Sequence, residues 1–516
     1  MIFDSAGRWL KSPLSPLCKG GKRASRAGGF SMFLQWTAQH TRTPVLSLAL
    51  MAGVFLLLLV VPAQAETLNF RQSVDLALKQ NPAMILSQAR IAQAQGGVRQ
   101  ARGGLLPSLT GSFNATRSND ALNVFGFKLA QRRATFNDFG AGQFNPNDLG
   151  VAPGNLNYPG AYNNFDTRLQ LDVPIYNGGM SWGRVAEARA YLRAARRGDL
   201  AARQQLIFGV LEAYQGVRLA RAYVGVAHEA ERAAESYVRT TRQLFNKGVV
   251  VKSDLLSAQV HLEDVRLQLQ QAQDQEATAL NQFHVLLGLP VTSDADVGPA
   301  VMPPPSGQSL PEMQRQALVS NPEITALRAK LKATQAGIDV ARAGYLPHVN
   351  VMLRRDWNKP TPGLGASSYT VAGVLSWELL DFGTRGGAVD EANARRLEAV
   401  ARVRQAEDQL LVQIAKTWRA ARTAVRRVTA EKLAVQQAEE AQRLIALRYQ
   451  GGVATLSELL SGQARLDGAR AGLVKARYEQ AVQRAALLLA TGRLDLDRLT
   501  ARDGTTRLGQ KGDEHP

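Results

Sequence analysis

One cysteine, Cys18, is all the thiol chemistry in this 516-residue chain, and it lies close to the N-terminus. That excludes a disulfide framework and a cysteine metal site. Histidine is nearly as scarce, six in all: besides His40 near the N-terminus, His228, His261, His284, His348 and His515 fall on different predicted elements, with no ligand spacing to carboxylate clusters. They read as isolated solvated or core residues rather than metal ligands. No phosphate-cradling glycine loop precedes a helix and no G-x-S-x-G occurs, so the sequence calls for no catalytic residue, metal or cofactor. Aromatic residues make up 6% and do not interleave with the basic ones, which form no block. A basic chain of this kind lacks the patterned surface of a nucleic-acid binder.

The first 65 residues read as targeting sequence. Arg8, Lys11, Lys19, Lys22, Arg23, Arg26 and Arg42 precede a 17-residue apolar run, Val45 to Val61, which closes on Ala63-Gln64-Ala65. A basic front, a hydrophobic centre and an A-x-A exit are the parts of a cleaved secretory signal. The run is almost long enough to span a bilayer as an uncleaved helix, but the small-residue exit favours cleavage; a start nearer Met32 would shorten only the basic front. The mature chain then begins at Glu66, with no cysteine to carry a lipid. The seven basic residues and Asp4 account for +6 of the formal charge of +19, leaving about +13 spread along helices as arginine.

Repetition is what the chain has in abundance. Phe245 to Gln259, FNKGVVVKSDLLSAQ, returns 204 residues later as YQGGVATLSELLSGQ, Tyr449 to Gln463. Each copy sets a Gly-Val corner, Gly248-Val249 or Gly452-Val453, between two long segments rich in Ala, Gln and Arg. These are predicted tips of helical hairpins, with Ser253 or Ser457 capping the returning helix and Asp254 or Glu458 at the positive end of its dipole. Upstream, the surroundings of Asn81-Pro82 recur around Asn321-Pro322 at an offset of 240, so 36 extra residues lie in the first half between Pro107 and Gly179. Leu255, Leu262 and Leu269 are matched by Leu459, Leu466 and Leu473 at heptad spacing, with small residues three positions on, as in a coiled-coil seam.

Where the halves differ in length, the period changes from helical to two. Four amphipathic strands are predicted, at about 108–118, 165–174, 348–357 and 368–379. Leu109, Phe113, Phe165, Leu169, Leu171, Val351, Leu353, Val371 and Leu375 alternate with polar and ionic neighbours. One face could rest on a soluble core. Aromatic residues near the strand ends, an ionic opposite face and a signal peptide instead favour a membrane barrel. Four strands cannot close one, because about eight are needed to enclose even side chains. A dimer would supply eight and a trimer twelve. From Gly179 to Gly248 and from Gly383 to Gly452 is 69 residues, room for a helix of about 100 Å. Each return of 40 residues gives about 60 Å, and the helix before each strand pair can make up the rest by stacking on its end.

In this order and at these spacings, the duplicated halves, the Asn-Pro openings, the lead-ins Leu105 to Pro107 and Tyr345 to Pro347, the turns Tyr176 to Gly179 and Leu380 to Gly383, the Gly-Val tips and Leu286 to Gly288 resemble the TolC-like outer-membrane channel proteins. The resemblance implies an α+β, mostly α membrane protein: a homotrimer with a twelve-stranded barrel in the outer membrane, continued by a long periplasmic α-helical barrel. It divides the chain into a signal at 1–65, repeats at 66–289 and 310–496, an equatorial connection at 290–309 and a polar tail at 497–516. It further implies an exit duct in outer-membrane lipid, partnered by a periplasmic adaptor and an inner-membrane pump of RND or ABC type. The adaptor docks at the tips, Gly248, Val249, Gly452 and Val453. The family's gate tyrosine falls on Tyr449 and its aspartate partner on Asp254, while the acidic constriction ring falls on Glu458. Two positions depart from the pattern, Ser461 standing for a ring aspartate and Ala454 for a gate arginine. A periplasmic adaptor or a structural coiled-coil protein would also carry helical hairpins, but not two matched strand pairs.

Overall fold

The computed structural model describes residues 67–500. The predicted signal at 1–65, Cys18 and residues 501–516 of the predicted tail lie outside the described residues. The elements run β1 (Thr67–Leu68), α1 (Phe70–Gln80), α2 (Pro82–Gly103), β2 (Ser108–Ser118), α3 (Ala121–Ala130), α4 (Gly154–Asn157), β3 (Tyr162–Asn177), α5 (Met180–Asn246), α6 (Lys252–Leu287) and β4 (Asp296–Val297). The second half follows with α7 (Leu310–Ser320), α8 (Pro322–Arg342), β5 (His348–Lys359), β6 (Ala366–Ser376), α9 (Thr384–Gln450), α10 (Leu456–Ala490) and α11 (Leu496–Thr500). Among the described residues no helix is long and apolar enough to cross a membrane.

The duplication is visible as matched helix junctions. Asn81 ends α1 and caps α2, its Oδ1 accepting from the Ala83 amide while its Nδ2 donates to the Leu286 carbonyl in the last turn of α6. Asn321 repeats this between α7 and α8, accepting from Glu323 and Ile324 and donating to the Ala490 carbonyl at the end of α10. Proline follows in both cases, where its missing N–H costs nothing and its fixed φ suits the first turn. Each return helix therefore meets the start of the next helix in space. The contact is close enough to require glycine: a Cβ on Gly288 (φ 81°) or Gly492 (φ 66°) would lie 2.8 Å from Gln80 or from Asn321. With 67 residues in both α5 and α9, each long helix measures about 100 Å. The predicted end-to-end stacking is present. Asn321→Ala should lose both the cap and the carbonyl tie, lowering stability by about 1–3 kcal/mol; thermal unfolding followed by circular dichroism checks it.

The strands form one antiparallel sheet in the order β2-β3-β5-β6. Leu109, Leu171, Leu353 and Val371 are consecutive cross-strand partners, and the outer two of them are 64% exposed. The opposite face is ionic. Arg168 bridges to Asp356 at 2.7 Å and to Asp166 at 3.2 Å, and Arg354 reaches Asp356 at 2.9 Å. Strand limits differ from expectation in three of the four strands, β5 running on to Lys359 opposite Phe165. The central β3 runs on to 162–177 because it pairs on both sides, and β6 stops at Ser376, opposite the first residue of β5. Trp377, expected inside the strand, instead donates Nε1–H to the Tyr345 carbonyl.

The surplus in the first half contains helix α3. Asp120 caps it by accepting from the Asn123 amide. Gln131, just past its end, donates to the Asn163 carbonyl and to Asn164 Oδ1, and Asn164 donates to Asn358 Oδ1. Asn164 and Asn358 share strand parity with Arg168 and Asp356, so the connection folds over the ionic face.

Two apolar clusters sit where helices and connections converge. In the first half Phe70, Leu211, Tyr214, Val217, Phe283 and Leu287 are buried together, Tyr214 meeting Phe70 and Phe283 edge to face. The second-half counterpart is smaller: Met313, Ala317, Ile414, Ala421, Leu487 and Ala490. Small seam residues on the return helices, Ala258, Val265, Ala272 and Ala476, are buried, which lets the helices approach closely.

Candidate functional site at the hairpin tips

Both tips turn through a left-handed glycine, Gly248 at φ 75° and Gly452 at φ 73°. The next amides, of Val249 and Val453, return to the Leu244 and Arg448 carbonyls at 2.9 Å, closing helix ends that would otherwise leave carbonyls unpaired. Val249 and Val453 are exposed. A Cβ on Gly452 would stand 3.3 Å from Val249 Cγ1, so the two tips of one chain lie side by side.

The capping residues differ from those predicted. Helix α6 starts from Val251 without a side-chain cap, and α10 starts from Thr455, whose Oγ1 accepts from the Glu458 amide at 3.2 Å. Ser253 and Ser457 sit two residues later, inside the first turn. After a left-handed glycine the chain runs extended through β-branched Val251 or Thr455, with ψ near 160°, and this delays the helix start. Asp254 and Glu458 remain in the first turns, where a carboxylate faces the positive end of the dipole.

Tyr449 is 2% exposed and shares a 2.8 Å hydrogen bond with Thr241 on α5. Its predicted partner was Asp254; within the chain the hydroxyl is taken by Thr241. Burial pushes the Tyr449 hydroxyl above the ordinary tyrosine range, the Thr241 bond opposes this, and the charge of Asp254 adds to the rise. Asp254 is therefore near Tyr449 and half-buried, without bonding it. Glu458 and Ser461 are both exposed, one turn apart on the same side of α10. Ala454 is half-buried against the cluster of Val238, Ala258, Tyr449, Leu456 and Leu459.

Sequence reasoning missed a second polar tie above Tyr449. Tyr237 donates to Gln463 Oε1 at 2.6 Å, Gln442 donates to the Tyr237 oxygen, and Gln463 donates to Asp467. Gln442 and Gln463 are buried, and burial raises the Asp467 carboxyl. Tyr237 and Thr241, one turn apart, thus hold α9 and α10 to α5. Glutamine is common along all these helices, so nothing in the pattern singled out the buried pair.

Two matched hairpins joined to a sheet with one apolar and one ionic face define a duplicated channel-type protein of the cell envelope. Residues 73–289 and 314–493 match the family model described as Outer membrane efflux protein, and the chain belongs to that family. The alkaline protease secretion protein AprF of Pseudomonas aeruginosa is 25% identical over 455 residues, covering 86% of this chain and 88% of its own. The probable efflux pump outer membrane protein TtgC of Pseudomonas putida is 23% identical over 299 residues, covering 56% of this chain and 60% of its own. The fold matches that of VceC from Vibrio cholerae with a TM-score of 0.68 at 21% identity, covering 82% of this chain and 96% of that one.

Proposed function

We propose that this protein is the passive outer-membrane exit channel of a tripartite efflux or type I secretion machine, working as a homotrimer with an adaptor and an inner-membrane pump of RND or ABC type. The observation that carries this is the sheet, which ends in β2 and β6, each paired on one side only, and has an exposed apolar face and an ionic opposite face. Unpaired edges of 11 residues each invite pairing with further copies, and three copies make a twelve-stranded barrel with apolar residues toward lipid and ions toward a lumen. Apolar side chains left exposed on α6 (Leu256, Val260, Leu267) and on α9 (Leu433, Leu444, Leu447) supply the matching helical faces between copies. The long helices then form the periplasmic barrel. Residues 66–289 and 310–496 act as its two repeats, 290–309 as the equatorial connection and 1–65 as the removed signal.

On this reading Tyr449, bonded to Thr241 and beside the charge of Asp254, holds the gate, Glu458 with Ser461 lines the constriction, and the tips at Gly248, Val249, Gly452 and Val453 receive the adaptor. The mature protein should begin at Glu66, fractionate with the outer membrane and run as an SDS-sensitive trimer, as N-terminal mass spectrometry and membrane fractionation will read. A tag at Asn145, in the long connection, should be labelled on intact cells. Labelling only after lysis would overturn the orientation, and inner-membrane fractionation would overturn the reading as a whole.

A further inference from the structure

The connection between β2 and β3 is held by more than its two ends. Val124 on α3 is 2% exposed, Phe125 meets Phe139 edge to face at 4.5 Å, and Lys128 pairs with Asp138, which also accepts the Thr135 amide. At the end of α3, Gln131 is buried with every polar atom of its side chain bonded. Its Nε2 donates to the Asn163 carbonyl and to Asn164 Oδ1, and its Oε1 accepts from the Tyr162 hydroxyl at 3.1 Å. Asn164 in turn donates to Asn358 Oδ1 at 2.9 Å, and both asparagines are buried. Buried amides satisfied in this way specify one arrangement of the segment on the sheet.

Arg132 is the second anchor. It is a non-glycine residue at φ 55°, in the left-handed region that costs about 1–3 kcal/mol and persists only where the surroundings over-determine it. Its guanidinium donates to the Ser367 carbonyl on β6 at 2.9 Å. Two adjacent residues therefore fasten the segment to β3, β5 and β6 at once, across three of the four strands. The anchoring points lie where β3 begins, β5 ends and β6 begins, at the end of the sheet away from the long helices.

On the channel reading, the ionic face lines the lumen and this end of the sheet is the outer mouth. A twelve-stranded barrel with strands ~4.8 Å apart and tilted by ~40° has a backbone bore of about 24 Å. Three helical bodies, each about 10 Å thick and packed side by side, already need a circle of about 22 Å. Three copies of α3 thus leave little of the mouth open. We propose that the segment is a size filter at the exit: latched by Gln131 and Arg132, it narrows the outer mouth and, once the tips are open, sets the largest cargo that leaves. The inference rests on the channel reading and adds to it a second constriction, at the opposite end from Tyr449.

The test is sided exclusion of polyethylene glycols of graded mass from single channels in planar bilayers, in the Tyr449→Phe background. Protein is added on one side only, so the helices stay there and polymer on the far side meets the sheet end. Gln131→Ala combined with Arg132→Gly should raise conductance at least twofold and admit larger polymers from the far side, while the cut-off from the helical side stays as it was. Replacing residues 121–160 by a Gly-Gly turn should act in the same direction and more strongly. Arg133→Ala, exposed beside the latch, should change neither quantity. A parental far-side cut-off in the deletion, or in the double variant where the deletion does not assemble, would overturn the proposal alone. Parent and Tyr449→Phe proteins that pass no current at all would overturn the channel reading and the proposal together.

Discussion

Tyr449→Phe is expected to raise single-channel conductance in planar bilayers severalfold. The variant keeps the ring in its cluster and removes only the hydroxyl that joins α9 to Thr241 on α5. Thr241 is fully buried, so its own hydroxyl then has no partner inside the chain. Leaving a buried polar group unpaired costs about 1–3 kcal/mol, more than the net worth of the bond. In a trimer the loss falls three times on the same ring of helices. Thr241→Val removes the bond from the other side and should open the pore to a similar extent. The double variant, in which both hydroxyls are gone and the contact is apolar, should conduct less than either single one, because the unpaired group is gone too. Asp254→Asn should have the smaller effect, since Asp254 acts on Tyr449 by its charge and not by a bond. Parental conductance in Tyr449→Phe would place the constriction elsewhere.

That expectation shows where the sequence could be read and where it could not. The Asn-Pro junctions were legible because one asparagine serves two helices there, and such a residue is hard to replace in either copy. The strands were legible because a sheet with one apolar and one ionic face must alternate strictly along each strand. Helix α3 was not. Its run Ala121 to Ala130 is apolar without helical period, and its order comes from Gln131 and the strand asparagines. The tip corners were found from their glycines, but the caps were misplaced, since serine before an acid looks like a cap wherever it stands. Thr241 as the partner of Tyr449 depends on the rotation of α5 against α9. Over 67 residues, helical phase read from the sequence drifts too far to fix it.

Glu458→Ala should leave the conductance of the pore nearly unchanged while weakening its cation selectivity and its block by multivalent cations about tenfold. The two effects separate because the carboxylate and the helix start are held by different groups. Thr455 caps α10 through the Glu458 backbone amide, which alanine retains, so the variant loses only the dipole contribution of about 0.3–1 kcal/mol. The carboxylate is exposed on α10 and has no ion pair among the described residues. Its charge is therefore available to ions rather than spent within the fold. In the proposed trimer, three copies around a narrow opening would concentrate cations by focusing the field between low-dielectric walls. Ser461 gives the reciprocal test: it lies one turn along the same exposed side of α10, so Ser461→Asp in the Glu458→Ala background should restore a three-carboxylate ring and most of the selectivity. Selectivity that follows neither change would leave Glu458 as a helix-end charge alone, and the ring would have to be sought among other acids facing the lumen.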